Sequence, residues 1–305
     1  MVAASRALIA AALAGMAADP EGPEIVFLQE LWSARRRPRF RGLYPHIAEA
    51  ERYWRNPLNL IAMPMERLRN RYLTIDSGLM TLSKHPVTEV RRHVYRTGEG
   101  MARKSALAAL IETDELGPLW AVNTHLCAAY VDRTNTPARA AQLKELGAFL
   151  ATLTGAPVVV GGDFNIAPPS TVPLPAWSYD RALWPEAMSA ALPGFTCAPE
   201  AAGHLTYAAS FNPWADKREG DNRLDYVLAG PGLAASEGKV AMDERHVLGP
   251  GLARCRAFRD VLSSERAPLP FGSRARWVTG AGRVPARTFR SHLEERGQVL
   301  GSEDL

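Results

Sequence analysis

A chain of 305 residues that is 47% hydrophobic has material for one large α/β domain or two small ones, and is too apolar for wholesale disorder. Charge is nearly balanced, 36 Lys and Arg against 32 Asp and Glu, so the net charge of +4 mildly favours anionic partners without marking a nucleic-acid binder. Three scattered cysteines, Cys127, Cys197 and Cys255, argue against a disulfide framework and a CxxC zinc site, and read as small buried hydrophobes.

The opening MVAASRALIAAALAGMAADP carries one early Arg, a short apolar run and small residues near Ala17 and Ala18, features that a secretory leader shares with an alanine-rich helix. The helix, ended by Asp19-Pro20, is the expectation. No other segment approaches the roughly 20 apolar residues of a membrane span, so any membrane contact is expected to be peripheral. A cytoplasmic or peripheral-membrane location is favoured, with secretion left open. From Glu24, PEIVFLQEL reads as a strand, and a long basic and aromatic connection runs from Trp32 to about Asp76. Short strands follow around SGLMTLSKHPV and KSALAALIE, then a strand in LWAVNTHL, a helix over PARAAQLKELGAFLATL and a strand in VVVGGDFN. A Pro- and Ala-rich loop leads to a last strand, RLDYVLAG. No repeat is visible, and the pattern predicts one layered α/β domain with mixed sheets over residues 1–262. Beyond about Ser263 the chain turns to Arg, Gly, Pro and Ser, and residues 263–305 are expected to be a weakly ordered tail.

Four of these runs are apolar and then stop on polar residues: Glu30 after IVFLQ, Asn123 and His125 in WAVNTH, Asp163 and Asn165 in VVVGGDFN, and Asp225 in RLDY. Each alone is explained by solvation at a strand end or by a turn. Together they suggest one rim, where a rigid scaffold presents chemistry on its loops. Glu30, Asp163 and Asp225 would concentrate negative charge, which a hard divalent cation relieves. Oxygen ligands point to Mg²⁺, with Mn²⁺ or Ca²⁺ as alternatives, and away from zinc. On a phosphodiester such an ion would stabilise charge on the phosphoryl and leaving oxygens. Asp163 would orient or deprotonate water, and Asn165 and His125 would donate to the non-bridging oxygens.

The motifs IVFLQELW, NTHL, GGDFN and RLDYVL, in this order, resemble the endonuclease/exonuclease/phosphatase superfamily. That resemblance, spanning about Ala7 to Leu262, implies a deoxyribonuclease-I-like sandwich of two packed mixed sheets flanked by helices. Within the superfamily, SGLMTLSKHPV, THLCAAY and the aromatic loop before RLDYVL are most similar to neutral sphingomyelinases. It implies that Glu30 is the metal ligand and His125 a phosphate contact. Asp163 and Asn165 become the water-orienting and transition-state pair, and Asp225 the acid that pairs with the family's catalytic histidine. Asn123, Tyr130 and Trp214 are the expected substrate contacts.

Two departures stand out. The family begins with a strand ending in a metal-holding Asn, whereas this chain starts in the helix that follows. Where the family has a final Ser-Asp-His strand, this chain reads VLSSERAPL, with Glu265 and Arg266 in place of the Asp and His; an arginine stays protonated and cannot serve as a base. The first and last strands of the fold are thus expected to be absent or altered. The resulting expectation is a monomeric, Mg²⁺-dependent phosphodiesterase acting on sphingomyelin or a related phospholipid at a membrane surface. The alternatives are a nuclease or other phosphoesterase, and a catalytically impaired phosphate- or lipid-binding protein. Arginines interleaved with Phe40, Tyr44, Tyr53 and Trp54, and Phe211 and Trp214 in FNPWADKREGDN, suit a lipid interface, a nucleic-acid backbone, or core packing beneath long loops.

Overall fold

The computed structural model describes residues 10–11, 13–20, 22–31, 37–50, 77–97, 104–128, 136–167, 184–197, 206–208, 221–241, 257–264 and 275–279. Its strands are β1 (Ile25–Leu28), β2 (His46–Glu49), β3 (Met80–Ser83), β4 (Val87–Val94), β5 (Ser105–Thr113), β6 (Gly117–His125), β7 (Val158–Asp163), β8 (Thr196–Cys197), β9 (Tyr207–Ala208), β10 (Asp221–Asn222), β11 (Asp225–Ala229), β12 (Leu233–Ala241), β13 (Ala257–Ser264) and β14 (Ala275–Thr279). The principal helix is α1 (Thr136–Leu150).

Two six-stranded sheets result, one ordered β12-β13-β14-β1-β3-β2 and the other β4-β5-β6-β7-β11-β8, with β9 and β10 forming a small ribbon. Each large sheet is mixed, because β1 runs parallel to β14 and β6 parallel to β7 while the other pairs are antiparallel. β13 crosses the 262/263 boundary drawn from composition, and β14 lies within the segment beyond it.

Period-two alternation sorts the side chains into layers. Ile25 and Phe27 of β1 meet Leu107, Ala109, Leu119, Ala121, Val159 and Val227 of the facing sheet in the central core. Val26 and Leu28 turn the other way, onto Leu13 of the N-terminal helical segment. On the far side of the second sheet, Trp120, Val122, Val160 and Tyr226 pack against Leu143, Leu146 and Leu150 of α1. The layers therefore run helix, sheet, sheet, helix, the deoxyribonuclease-I-like sandwich expected from the motifs.

Phe40 and Tyr44 are buried in the layer under the N-terminal segment, and Tyr44 donates its hydroxyl to Pro23 O at 2.9 Å. Of the three roles open to these aromatics, core packing is the one they fill. Tyr53, Trp54, Phe211 and Trp214 lie outside the described residues. Cys127 is buried, as expected of a small hydrophobe, whereas Cys197 is only half-buried, contrary to that expectation, and Cys255 lies outside the described residues.

Candidate active site

The sheet pairing brings the polar strand ends together. β6 and β7 are parallel, so they end at the same rim with His125 paired to Asp163, and antiparallel β11 begins there with Asp225 paired to Asp163. By alternation, His125, Asp163 and Asp225 share the parity of Ala121, Val159 and Val227, which face the opposite sheet.

Asn123 ties the second sheet to β1. Its Nδ2 donates to Leu28 O at 3.1 Å and to Met80 O at 3.0 Å, and its Oδ1 accepts from Gln29 Nε2 at 2.8 Å. The exit of β1, where Glu30 stands, is thereby fastened one alternation step before His125 on β6. Glu30 itself has a φ of 60°, and Leu31 N donates to Gly78 O at 2.9 Å just beyond it. Asn123, expected as a substrate contact, spends both amide hydrogens and its oxygen on this clip between the sheets.

Asp163 and Asn165 form a local turn. Asn165 N donates to Asp163 Oδ1 at 2.9 Å, and Asn165 Nδ2 donates to Leu126 O at 3.0 Å. Leu126 N in turn donates to Asp163 O at 3.0 Å, and Phe164 N to Leu224 O at 2.9 Å. These bonds hold Asn165 at a φ of 53°, in the left-handed region that non-glycine residues seldom occupy. The preceding Gly162 has a φ of 138°, and a β-carbon there would collide with the carbonyl of Thr124. The second glycine of VVVGGDFN thus lets β7 lie close to β6 with Asp163 at its end.

His125 is fully buried, while the Asp163 side chain is 15% exposed. His125 Nε2 lies 3.5 Å from Asp163 Oδ2 and 2.7 Å from Lys104 Nζ. Lys104, which precedes β5 and is itself buried, was not singled out from the sequence. No apolar run leads up to it, and the register that sets Ser105 opposite His125 is a cross-strand property. Asp225 N donates to Thr206 Oγ1 at 3.0 Å, which fixes the start of β11. The segment after His125 is held by α1, where Gln142 Oε1 accepts from Cys127 N at 2.9 Å and Arg139 donates to Cys127 O at 2.9 Å. Tyr130 and Trp214 lie outside the described residues, as do Glu265 and Arg266.

Among the described residues, no three of His, Cys, Asp and Glu are grouped to hold a metal ion. The donor chemistry at the rim is carboxylate oxygen, and Asp163 and Asp225 stand directly opposite each other, where like charges are unfavourable. Such a rim suits a hard cation held by one or two carboxylates and water, the usual manner of Mg²⁺.

Residues 2–245 match the family described as Endonuclease/Exonuclease/phosphatase family. A search of curated proteins finds no match in sequence. Among solved structures, sphingomyelinase C from Streptomyces griseocarneus is similar with a TM-score of 0.56 at 17% identity, over 90% of this chain and 89% of that one. A beta toxin variant from Staphylococcus aureus with bound magnesium ions gives 0.53 at 16% identity, over 77% and 84% of the two chains. Truncated TDP2 from Caenorhabditis elegans gives 0.51 at 19% identity, over 83% and 86%. At such identities the likeness is one of fold.

Proposed function

The chain belongs to the endonuclease/exonuclease/phosphatase family, and from that premise we propose that it is a Mg²⁺-dependent phosphodiester hydrolase of sphingomyelinase type. The observation that carries this reading is the meeting of His125, Asp163 and Asp225 at one rim by strand register, with the exit of β1 clipped beside them through Asn123. The structural similarity to a sphingomyelinase C, and the magnesium ions in the beta toxin variant, support the choice of substrate and metal.

In this reading Glu30 holds the ion, with Asp163 and Asp225 supplying the surrounding negative potential. When bound, Mg²⁺ supplies charge stabilisation at a phosphoryl oxygen. The chain's own residues do the rest. Asp163, fixed by its bond from Asn165 N, accepts a hydrogen bond from the attacking water and aims it at phosphorus. Asn165 gives one N–H to Leu126 O, and its other N–H serves a non-bridging oxygen as charge builds there. The left-handed backbone at Glu30 and Asn165 fits such a role, because strained residues held in place by their surroundings cluster at functional sites. The turn of Asp163 and Asn165 also fits the division of labour expected from VVVGGDFN, with the acid on the nucleophile and the amide on the phosphate.

Purified protein with Mg²⁺ should release a phosphorylated headgroup from sphingomyelin vesicles and leave plasmid DNA intact. Cleavage of plasmid or abasic DNA with no lipid turnover would transfer the site to the nuclease alternative. Phosphate or lipid binding without any hydrolysis would leave the impaired binding protein.

A further inference from the structure

We infer that Lys104 is a positioning residue of this site, one that fixes the tautomer of His125. An ammonium has three donors and no acceptor, so a Lys104 Nζ at 2.7 Å from His125 Nε2 makes that nitrogen an acceptor. Nε2 then carries no proton, and the neutral ring keeps its hydrogen on Nδ1. Asp163 Oδ2, at 3.5 Å from the same nitrogen, lies at the outer limit of hydrogen bonding, so the lysine contact decides the assignment. Both Lys104 and His125 are buried, so the ammonium is held by hydrogen bonding within the protein, including the one to His125 Nε2.

The arrangement bears on the chemistry of Asp163. With its proton on Nδ1, the ring has nothing to donate from Nε2 to Asp163 Oδ2 and does not compete there with a water molecule. His125 then serves as a neutral ring whose Nε2 faces both the lysine and the acid, while its Nδ1 is buried away from solvent. Only this kinetic consequence rests on the hydrolase reading. The tautomer is a property of the folded chain whatever its substrate.

Nitrogen-15 NMR of histidine-labelled full-length protein, with His125 assigned by its loss in His125→Asn, reads the tautomer directly. The wild type is expected in the Nδ1–H form. Lys104→Met keeps the aliphatic stem, removes the donor, and should switch the ring to the Nε2–H form, now donating to Asp163. Lys104→Arg, which retains a donor, should keep the Nδ1–H form. A wild-type ring in the Nε2–H form, or one that Lys104→Met leaves unchanged, overturns the proposal; should Lys104→Met not fold, the wild-type spectrum alone decides. In the hydrolase assay, Lys104→Met should lower kcat roughly 10–100-fold, as loss of an orienting partner does, with little change in KM and partial recovery in Lys104→Arg. A tautomer switch in a protein without turnover would sink the hydrolase reading and leave Lys104's role standing.

Discussion

Glu30 and Asn165 are the two non-glycine residues with positive φ among the described residues, and both were singled out by their position at the end of an apolar run. Their side chains, not their backbones, justify their presence. An L-residue in the left-handed region costs about 1–2 kcal/mol relative to its ordinary conformation, and glycine avoids that penalty. Glu30→Gly and Glu30→Ala both remove the carboxylate, but only the glycine relieves the backbone. The glycine variant should therefore be the more stable by about 1 kcal/mol in urea unfolding, with activity lost in both. An alanine variant as stable as the glycine variant would show that the φ of 60° carries no strain. The residues of the rim were legible because a charged or amide side chain closing a buried strand is conspicuous. Lys104 was not, since its significance lies in a contact with His125 made through pairing of β5 and β6.

At the scale of elements, the two sheets are clamped at both rims. Asn123 joins them beside the site. At the opposite rim, where β3 ends and β6 begins, His85 sits between Glu24, which precedes β1, and Asp114 in the β5–β6 turn, at 3.5 and 3.6 Å. The adjacent Glu24 carboxylate is the main cause that raises the His85 pKa above 6.5, with burial opposing it and the nearby acids adding to it. The folded protein thus holds this proton more tightly than the unfolded chain does. The contribution to stability is whole below the ordinary value of 6.5 and fades as pH climbs past the raised folded value. Since Asp114 is 89% exposed, Glu24 carries most of it. His85→Gln should lower the urea midpoint at about pH 5.5 and have little effect at about pH 9; equal losses at the two would contradict a charged clamp. Elements with a continuous apolar run or regularly spaced leucines, such as β1, β6, β7, β11 and α1, were readable from the sequence. β4 was hidden by its own chemistry, because VTEVRRHV is a charged edge strand, the kind that resists further pairing. β14 has no such signature either: Arg, Gly and Pro surround it, and its partner β1 lies at the other end of the chain.

On the scale of the whole molecule, the sandwich places the candidate rim between two sheets, so its parts are joined by pairings distant in sequence. The fold class was legible because several short apolar runs and one long helix between them leave few ways to bury their faces. Convergence of the strand ends was not, because register is settled by tertiary pairing. The central claim is that Glu30 from one sheet and Asp163 from the other serve a single Mg²⁺-dependent hydrolytic site. Its most direct measurement is turnover of a chromogenic phosphodiester across a Mg²⁺ titration by the wild type, Glu30→Gln and Asp163→Ala. The wild type should lose activity on chelation and regain it with Mg²⁺, Glu30→Gln should need more Mg²⁺ for less turnover, and Asp163→Ala should fall by roughly 10²–10⁴. Equal turnover by all three proteins, or turnover indifferent to chelation, would contradict it.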